Sequence, residues 1–99
     1  MKLIWANLYK NDFVADLSDG ENTGRFRVRK VDGRRKQPWQ ARFEGRMRSG
    51  PATWTSERQQ NFIATDAEAM AICEGWANGK TMGSCLMEIN ADRQRVAAR

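Results

Sequence analysis

Two stretches in the middle of the chain, residues 25–29 and 39–44, alternate strictly between apolar and polar side chains. Such alternation is typical of β-strands that bury one face of a sheet. Paired as a hairpin, the two strands would place five apolar side chains in one layer: Phe26, Val28, Trp39, Ala41 and Phe43. The opposite layer would hold four arginines, which we call the arginine row: Arg25, Arg27, Arg29 and Arg42.

Short apolar runs predict a second hairpin at the N-terminus, over residues 3–17. Aromatic and β-branched side chains in residues 3–9 and 13–17 flank an Asn-Asp pair, which is typical of a turn. The segment that follows, residues 18–24, is rich in glycine and polar residues and is predicted to be a loop.

The second half of the chain has a less regular pattern. Glycine, serine and proline in residues 45–56 predict a mobile loop, and a further strand is expected over about residues 57–63. Residues 85–89 predict either a last strand or a short helix, and the polar tail over residues 92–99 is expected to fray.

One helix is predicted over residues 66–78. Thr65 and Glu68 have the spacing of a capping box, in which each side chain satisfies a backbone N–H group at the start of the helix. Four apolar side chains then recur at helical spacing: Ala69, Ile72, Cys73 and Trp76. Gly79 suits the C-terminal end of such a helix.

These elements predict an α+β fold, in which an antiparallel sheet of four to five strands carries one main α-helix on one face. A chain of 99 residues has room for one hydrophobic core, so a single domain over residues 1–99 is expected. Within it, we expect the basic sheet and the helix to occupy residues 24–79.

The composition argues against an enzyme. The chain has no histidine and two cysteines, Cys73 and Cys85, so it lacks a Ser-His-Asp or Cys-His arrangement and the short ligand spacing of a zinc site. We therefore predict no catalytic residues, no metal and no cofactor. The chain also lacks a long apolar stretch and becomes polar too early for a signal peptide, which predicts a complete cytoplasmic protein.

The positive charge is concentrated in one part of the chain. The net charge is +5, but residues 25–58 carry eleven basic and three acidic residues, a local sum of +8. Such clustering creates a potential that attracts polyanions, and arginine makes bidentate contacts to phosphate and guanine. The candidate nucleic-acid contacts are Arg25, Arg27, Arg29, Arg34, Arg35, Lys36, Arg42, Arg46 and Arg48.

Two alternatives remain open for this basic surface. A solvated sheet face must be polar whatever the protein does, and an acidic protein surface would suit the same arginines. Trp54, placed by the pattern in the loop, is either an exposed stacking residue for bases or a residue that anchors the core or the loop.

Three segments carry a resemblance to a known family: Gly24-Arg25-Phe26-Arg27-Val28-Arg29, Trp39-Gln40-Ala41-Arg42-Phe43, and Phe62-Ile63-Ala64-Thr65-Asp66-Ala67-Glu68-Ala69. With them, residues 24–79 resemble the arm-site DNA-binding domains of phage tyrosine recombinases and related three-stranded AP2-like domains. The resemblance implies that the sheet face lies in the major groove, with the arginine row near bases and phosphates. The acidic N-terminal hairpin and residues 45–56 have no counterpart in that family, which favours a free-standing protein.

The sequence therefore predicts a small non-enzymatic accessory or regulatory protein that binds nucleic acid through an arginine-rich sheet face, with double-stranded DNA favoured over RNA. The alternative is a phage-encoded inhibitor or adaptor that binds an acidic surface of a host protein complex. No membrane association is expected. The cognate DNA sequence, the oligomeric state and the host pathway stay open.

Overall fold

The computed structural model describes residues 2–33, 36–50 and 53–79. These residues form five strands and one helix: β1 (Ala6–Tyr9), β2 (Asp12–Asp19), β3 (Asn22–Lys30), β4 (Trp39–Gly50), β5 (Thr53–Ile63) and α1 (Asp66–Ala77). The strands form one antiparallel sheet in the order β1-β2-β3-β4-β5, so strands that are neighbours along the chain are neighbours in the sheet. The predicted α+β fold is confirmed.

An N-terminal hairpin forms with a turn at Lys10 and Asn11, but its strands run over Ala6–Tyr9 and Asp12–Asp19 rather than over residues 3–9 and 13–17. Asn11 adopts a φ of 58°, a left-handed conformation that asparagine tolerates better than most residues.

The predicted loop over residues 18–24 is wrong. Strand β2 continues to Asp19, which pairs with Asn22, so the connection to β3 has only two residues. The polar side chains at this end remain compatible with a strand because they are exposed or half-buried rather than in the core.

The predicted loop over residues 45–56 is also wrong, since β4 continues through Gly45 to Gly50 and β5 begins at Thr53. Gly45 lies opposite Gly24, and a Cβ atom at Gly45 would collide with the backbone of Thr23 and Gly24. This glycine therefore permits a close approach of two strands, although glycine is also common in loops.

The helix forms close to its predicted bounds. The hydroxyl of Thr65 accepts a hydrogen bond of 3.1 Å from the N–H of Glu68, as a capping box requires. The helix packs against β3, β4 and β5. The largest fully buried side chains lie between the helix and the sheet: Trp76, Phe26, Phe43, Ile72, Val28 and Cys73.

Packing of α1 on one side divides the sheet into two different faces. The apolar layer that the alternation predicts lies under the helix, with Phe26, Val28 and Phe43 fully buried. The other face, which we call the open face, carries the polar side chains of β2, β3 and β4.

Some predictions concern residues that the structure does not describe. The strand or short helix at residues 85–89, the tail over residues 92–99, and the basic residues Arg34 and Arg35 all lie outside the described ranges. Among the described residues, a helix that could span a membrane is absent.

Candidate nucleic-acid interface

The arginine row lies together on the open face, as the alternation predicts. Strand β3 supplies three of its members at alternate positions, and β4 supplies Arg42 directly opposite Arg27. The same register places Glu44 opposite Arg25 and Gln40 opposite Arg29. Four guanidinium groups therefore occupy neighbouring positions on two paired strands.

Two arginines of the row pair with carboxylates on the neighbouring strand β2. The Nε atom of Arg25 donates to Asp16 Oδ1 at 2.8 Å. Arg27 makes two bonds to Asp12, from Nε to Oδ1 at 3.0 Å and from Nη2 to Oδ2 at 2.6 Å. The Asp12 side chain is 12% exposed and that of Asp16 is 70% exposed, so only the carboxylate of Asp12 is shielded from water.

The other two arginines have partners on β4 and β5. Arg42 forms ion pairs with Glu44 and, at 3.1 Å, with Glu57. Arg29 donates from Nε to Gln40 Oε1 at 3.0 Å. All four members of the row are therefore engaged in hydrogen bonds or ion pairs in the folded protein.

These contacts hold two carboxylates in their charged form. The hydrogen bond from Arg27, helped by the positive charge of Arg27 and Arg29, lowers the pKa of Asp12 below 3.8, although burial acts in the opposite direction. The hydrogen bond from Arg25 lowers the pKa of Asp16 in the same way. Both carboxylates are consequently fully ionised at neutral pH.

Sequence analysis missed the acidic half of this surface. A charge sum over residues 25–58 leaves out Asp12 and Asp16, because they belong to an earlier segment of the chain. A signal was present, since Asp12 and Asp16 are four positions apart and therefore share one face of a strand, whereas Phe13, Ala15 and Leu17 share the other. The structure shows that this strand pairs with β3 and contributes to the same face.

A depression of about 200 Å³ lies in the open face, lined by Arg25, Arg27, Arg42 and Glu44. Three guanidinium groups and one carboxylate therefore line it, and each of these arginines also pairs with a carboxylate of the open face. Arg27 and Arg42 lie directly opposite each other across the two strands, an arrangement that like charges disfavour.

A second basic cluster occupies the far end of β4. The Arg46 guanidinium carbon lies 4.1 Å from the centre of the Trp54 ring, and that of Arg48 lies 5.6 Å away. Both distances fit cation–π contacts. The loop position predicted for Trp54 is wrong: it lies in β5, is half-buried, and pairs with Arg48.

Lys36 lies at the other end of the sheet, exposed in the connection between β3 and β4. Most of β4 therefore separates it from the second basic cluster at Arg46 and Arg48. Its predicted companions, Arg34 and Arg35, fall in the part of the chain that the structure does not describe.

Residues with metal-binding potential do not group together in the described part of the chain, where no set of three Cys, Asp or Glu side chains could hold an ion.

Comparisons with protein-family models, with curated proteins and with solved structures find no match. The resemblance to phage recombinase arm-site domains therefore stays a prediction.

Proposed function

We propose that this protein binds double-stranded DNA through its open face, as a non-enzymatic accessory or regulatory protein. The observation that carries the proposal is the depression in that face, where three guanidinium groups and one carboxylate converge. A phosphate group placed there would lie between Arg27 and Arg42, within reach of both guanidinium groups.

The hydrogen bonds of the row support this role because they hold the arginines without using all of their donors. Arg25 and Arg29 are bonded through Nε, so these bonds leave the terminal nitrogens of both guanidinium groups unused. Terminal nitrogens make the bidentate contacts to phosphate and to the edge of guanine. The partners on neighbouring strands thus position the row for an incoming anion.

The carboxylates on the same face also moderate the expected affinity. DNA phosphates must compete with Asp16, Glu44 and Glu57, which already pair with arginines of the row. Exposed ion pairs of this kind are weak, so phosphate can replace them at low cost. We expect binding that is moderate at physiological salt and that weakens steeply as salt increases, because phosphate contacts release counterions.

The test is a titration of a labelled mixed-sequence duplex, followed by fluorescence anisotropy at several salt concentrations. Arg25→Ala should weaken binding, whereas Asp16→Asn should strengthen it, because it removes a competing charge from Arg25. Lys2→Ala is the matched control, since it removes one exposed positive charge from the segment before β1. Absence of binding at low salt, or binding that does not respond to salt, would refute the proposal.

One observation favours the second candidate, an inhibitor or adaptor that binds a host protein. Apolar side chains are exposed in and before the edge strand β1, with Ile4 88%, Leu8 50% and Tyr9 73% exposed. Exposed apolar side chains at a sheet edge suit a protein partner better than DNA. This candidate predicts a stoichiometric protein in a pull-down from nuclease-treated lysate, whereas the DNA-binding proposal predicts that nuclease removes the captured material.

A further inference from the structure

The hairpin of β4 and β5 extends beyond the rest of the sheet. Pairing between β3 and β4 ends at Thr23 and Arg46, whereas pairing between β4 and β5 continues to Gly50 and Thr53. The last part of the hairpin is therefore a two-stranded ribbon. A ribbon of this kind has dimensions that the major groove of DNA can accommodate.

Arg46 at the base of this ribbon differs from the arginines of the row. It is exposed, and in the ranges that the structure describes it forms no ion pair with a carboxylate. Its guanidinium group instead lies over the Trp54 ring at 4.1 Å. The ring contact orients the group without neutralising its charge, so an anion that reaches Arg46 has no carboxylate to displace.

The register places Arg46 on the same side of β4 as the depression. Pairing of β3 with β4 is unbroken from Lys30 and Trp39 to Thr23 and Arg46, so Arg42 and Arg46 lie on one face. Arg42, in the lining of the depression, and Arg46 are four residues apart on the strand. Four residues of extended strand span about 13 Å, which is close to the ~12 Å width of the major groove. Phosphates that border one groove could therefore meet the depression and Arg46 at the same time.

We infer that Arg46 is a second phosphate-binding site, positioned by Trp54, and that it binds the DNA backbone across the groove from the depression. This inference rests on the proposed function, because it requires a duplex bound to the open face. Trp54 acts as a positioning residue: its ring holds the guanidinium group in place, which reduces the conformational freedom that Arg46 loses on binding.

The experiment measures the binding of a short mixed-sequence duplex, and of one of its single strands, by fluorescence anisotropy. Arg46→Ala should weaken duplex binding about tenfold, because it removes a charged contact to phosphate. The slope of log affinity against log salt should fall by about 0.9, the value for one phosphate contact. Single-strand binding should change much less, because a single strand has no groove of fixed width. Lys2→Ala is again the charge-matched control.

Trp54→Leu separates positioning from direct contact. If Trp54 acts through Arg46, Trp54→Leu should weaken duplex binding in the wild-type background and have no effect in the Arg46→Ala background. Trp54→Phe keeps an aromatic ring and should give an intermediate loss, which preserves the test if Trp54→Leu does not fold. Thermal melting of each variant establishes that it is folded.

The outcomes distinguish this inference from the function on which it rests. If the wild-type protein binds no duplex at low salt, the proposed function and the second site both fail. If the wild type binds and Arg46→Ala behaves like Lys2→Ala, the second site is refuted and the proposed function stands. If the losses from Arg46→Ala and Trp54→Leu add in the double variant, the positioning role of Trp54 is refuted.

Discussion

Replacing Arg27 with alanine should destabilise the protein more than replacing its neighbour Arg25, although both arginines belong to one strand and one face. The difference lies in their partners. The Asp12 side chain, held by two bonds from Arg27, is 12% exposed, whereas the Asp16 side chain, held by Arg25, is 70% exposed. Water can replace the lost partner of Asp16 and has little access to Asp12.

The magnitude follows from what Arg27→Ala leaves behind. Leaving a shielded acceptor without its partner costs about 1–3 kcal/mol, and more when the acceptor is charged. The Arg27 side chain is itself 42% exposed and Arg29 still acts on Asp12, so we expect about 1–2 kcal/mol, in the lower part of that range. For a domain of this size, that loss lowers the melting temperature by about 5–15 °C.

The pH dependence has a definite sign. The folded-state pKa of Asp12 lies below 3.8, so the pair contributes its full stability above that value and loses it as the pH falls through the folded-state pKa. In Arg27→Ala the main cause of the low pKa is removed and burial raises it, so Asp12 takes up a proton more readily. The difference between variant and wild type should therefore shrink in acid.

The assay is urea unfolding of the wild type, Arg27→Ala and Arg25→Ala, near neutral pH and again below pH 3.8. Asp12→Ala combined with Arg27→Ala should recover part of the loss, because no unpaired carboxylate remains. The reasoning is refuted if Arg27→Ala and Arg25→Ala unfold at the same urea concentration near neutral pH. It is also refuted if the loss in Arg27→Ala is unchanged in acid.

Two further substitutions test the local structure. Gly45→Ala should lower the free energy of unfolding by about 2–4 kcal/mol, because the added Cβ would meet the backbone of Thr23 and because φ at this position is 149°. A melting temperature equal to that of the wild type would contradict the close approach of β3 and β4. Thr65→Ala should cost about 1 kcal/mol through the lost hydrogen bond to the N–H of Glu68. Thr65→Ser keeps the acceptor and should unfold like the wild type, and equal losses in both variants would argue against a capping role.

The features that sequence analysis predicted well depend on residues close together in the chain. Alternation over residues 25–29 and 39–44 identified the buried layer and the arginine row, because a strand directs successive side chains to opposite faces whatever lies next to it. Thr65 and Glu68 likewise marked the start of α1, since a helix cap involves residues only three positions apart.

The two wrong loops share one cause. Glycine and polar residues over residues 18–24 and 45–56 are typical of turns when each residue is judged by its own preference. In the structure, Gly45 instead meets the backbone of β3, and Met47 is buried at 2% exposure. The alternation of Arg46, Met47 and Arg48 correctly indicated a strand, but the turn preference of the neighbouring glycine was given more weight.

Sequence alone determined that this protein has one apolar and one arginine-bearing sheet face, because side-chain alternation is a local property of an extended chain. Only the tertiary structure decided what the arginine row contacts. The carboxylates of Asp12 and Asp16 reach it through the register of β2 on β3, and that register depends on which strands pair. The basic segment, with a local sum of +8, thus becomes a surface of ion pairs around a depression lined by three arginines and one glutamate. Charge summed along a chain and charge gathered on a face differ because folding brings distant segments together.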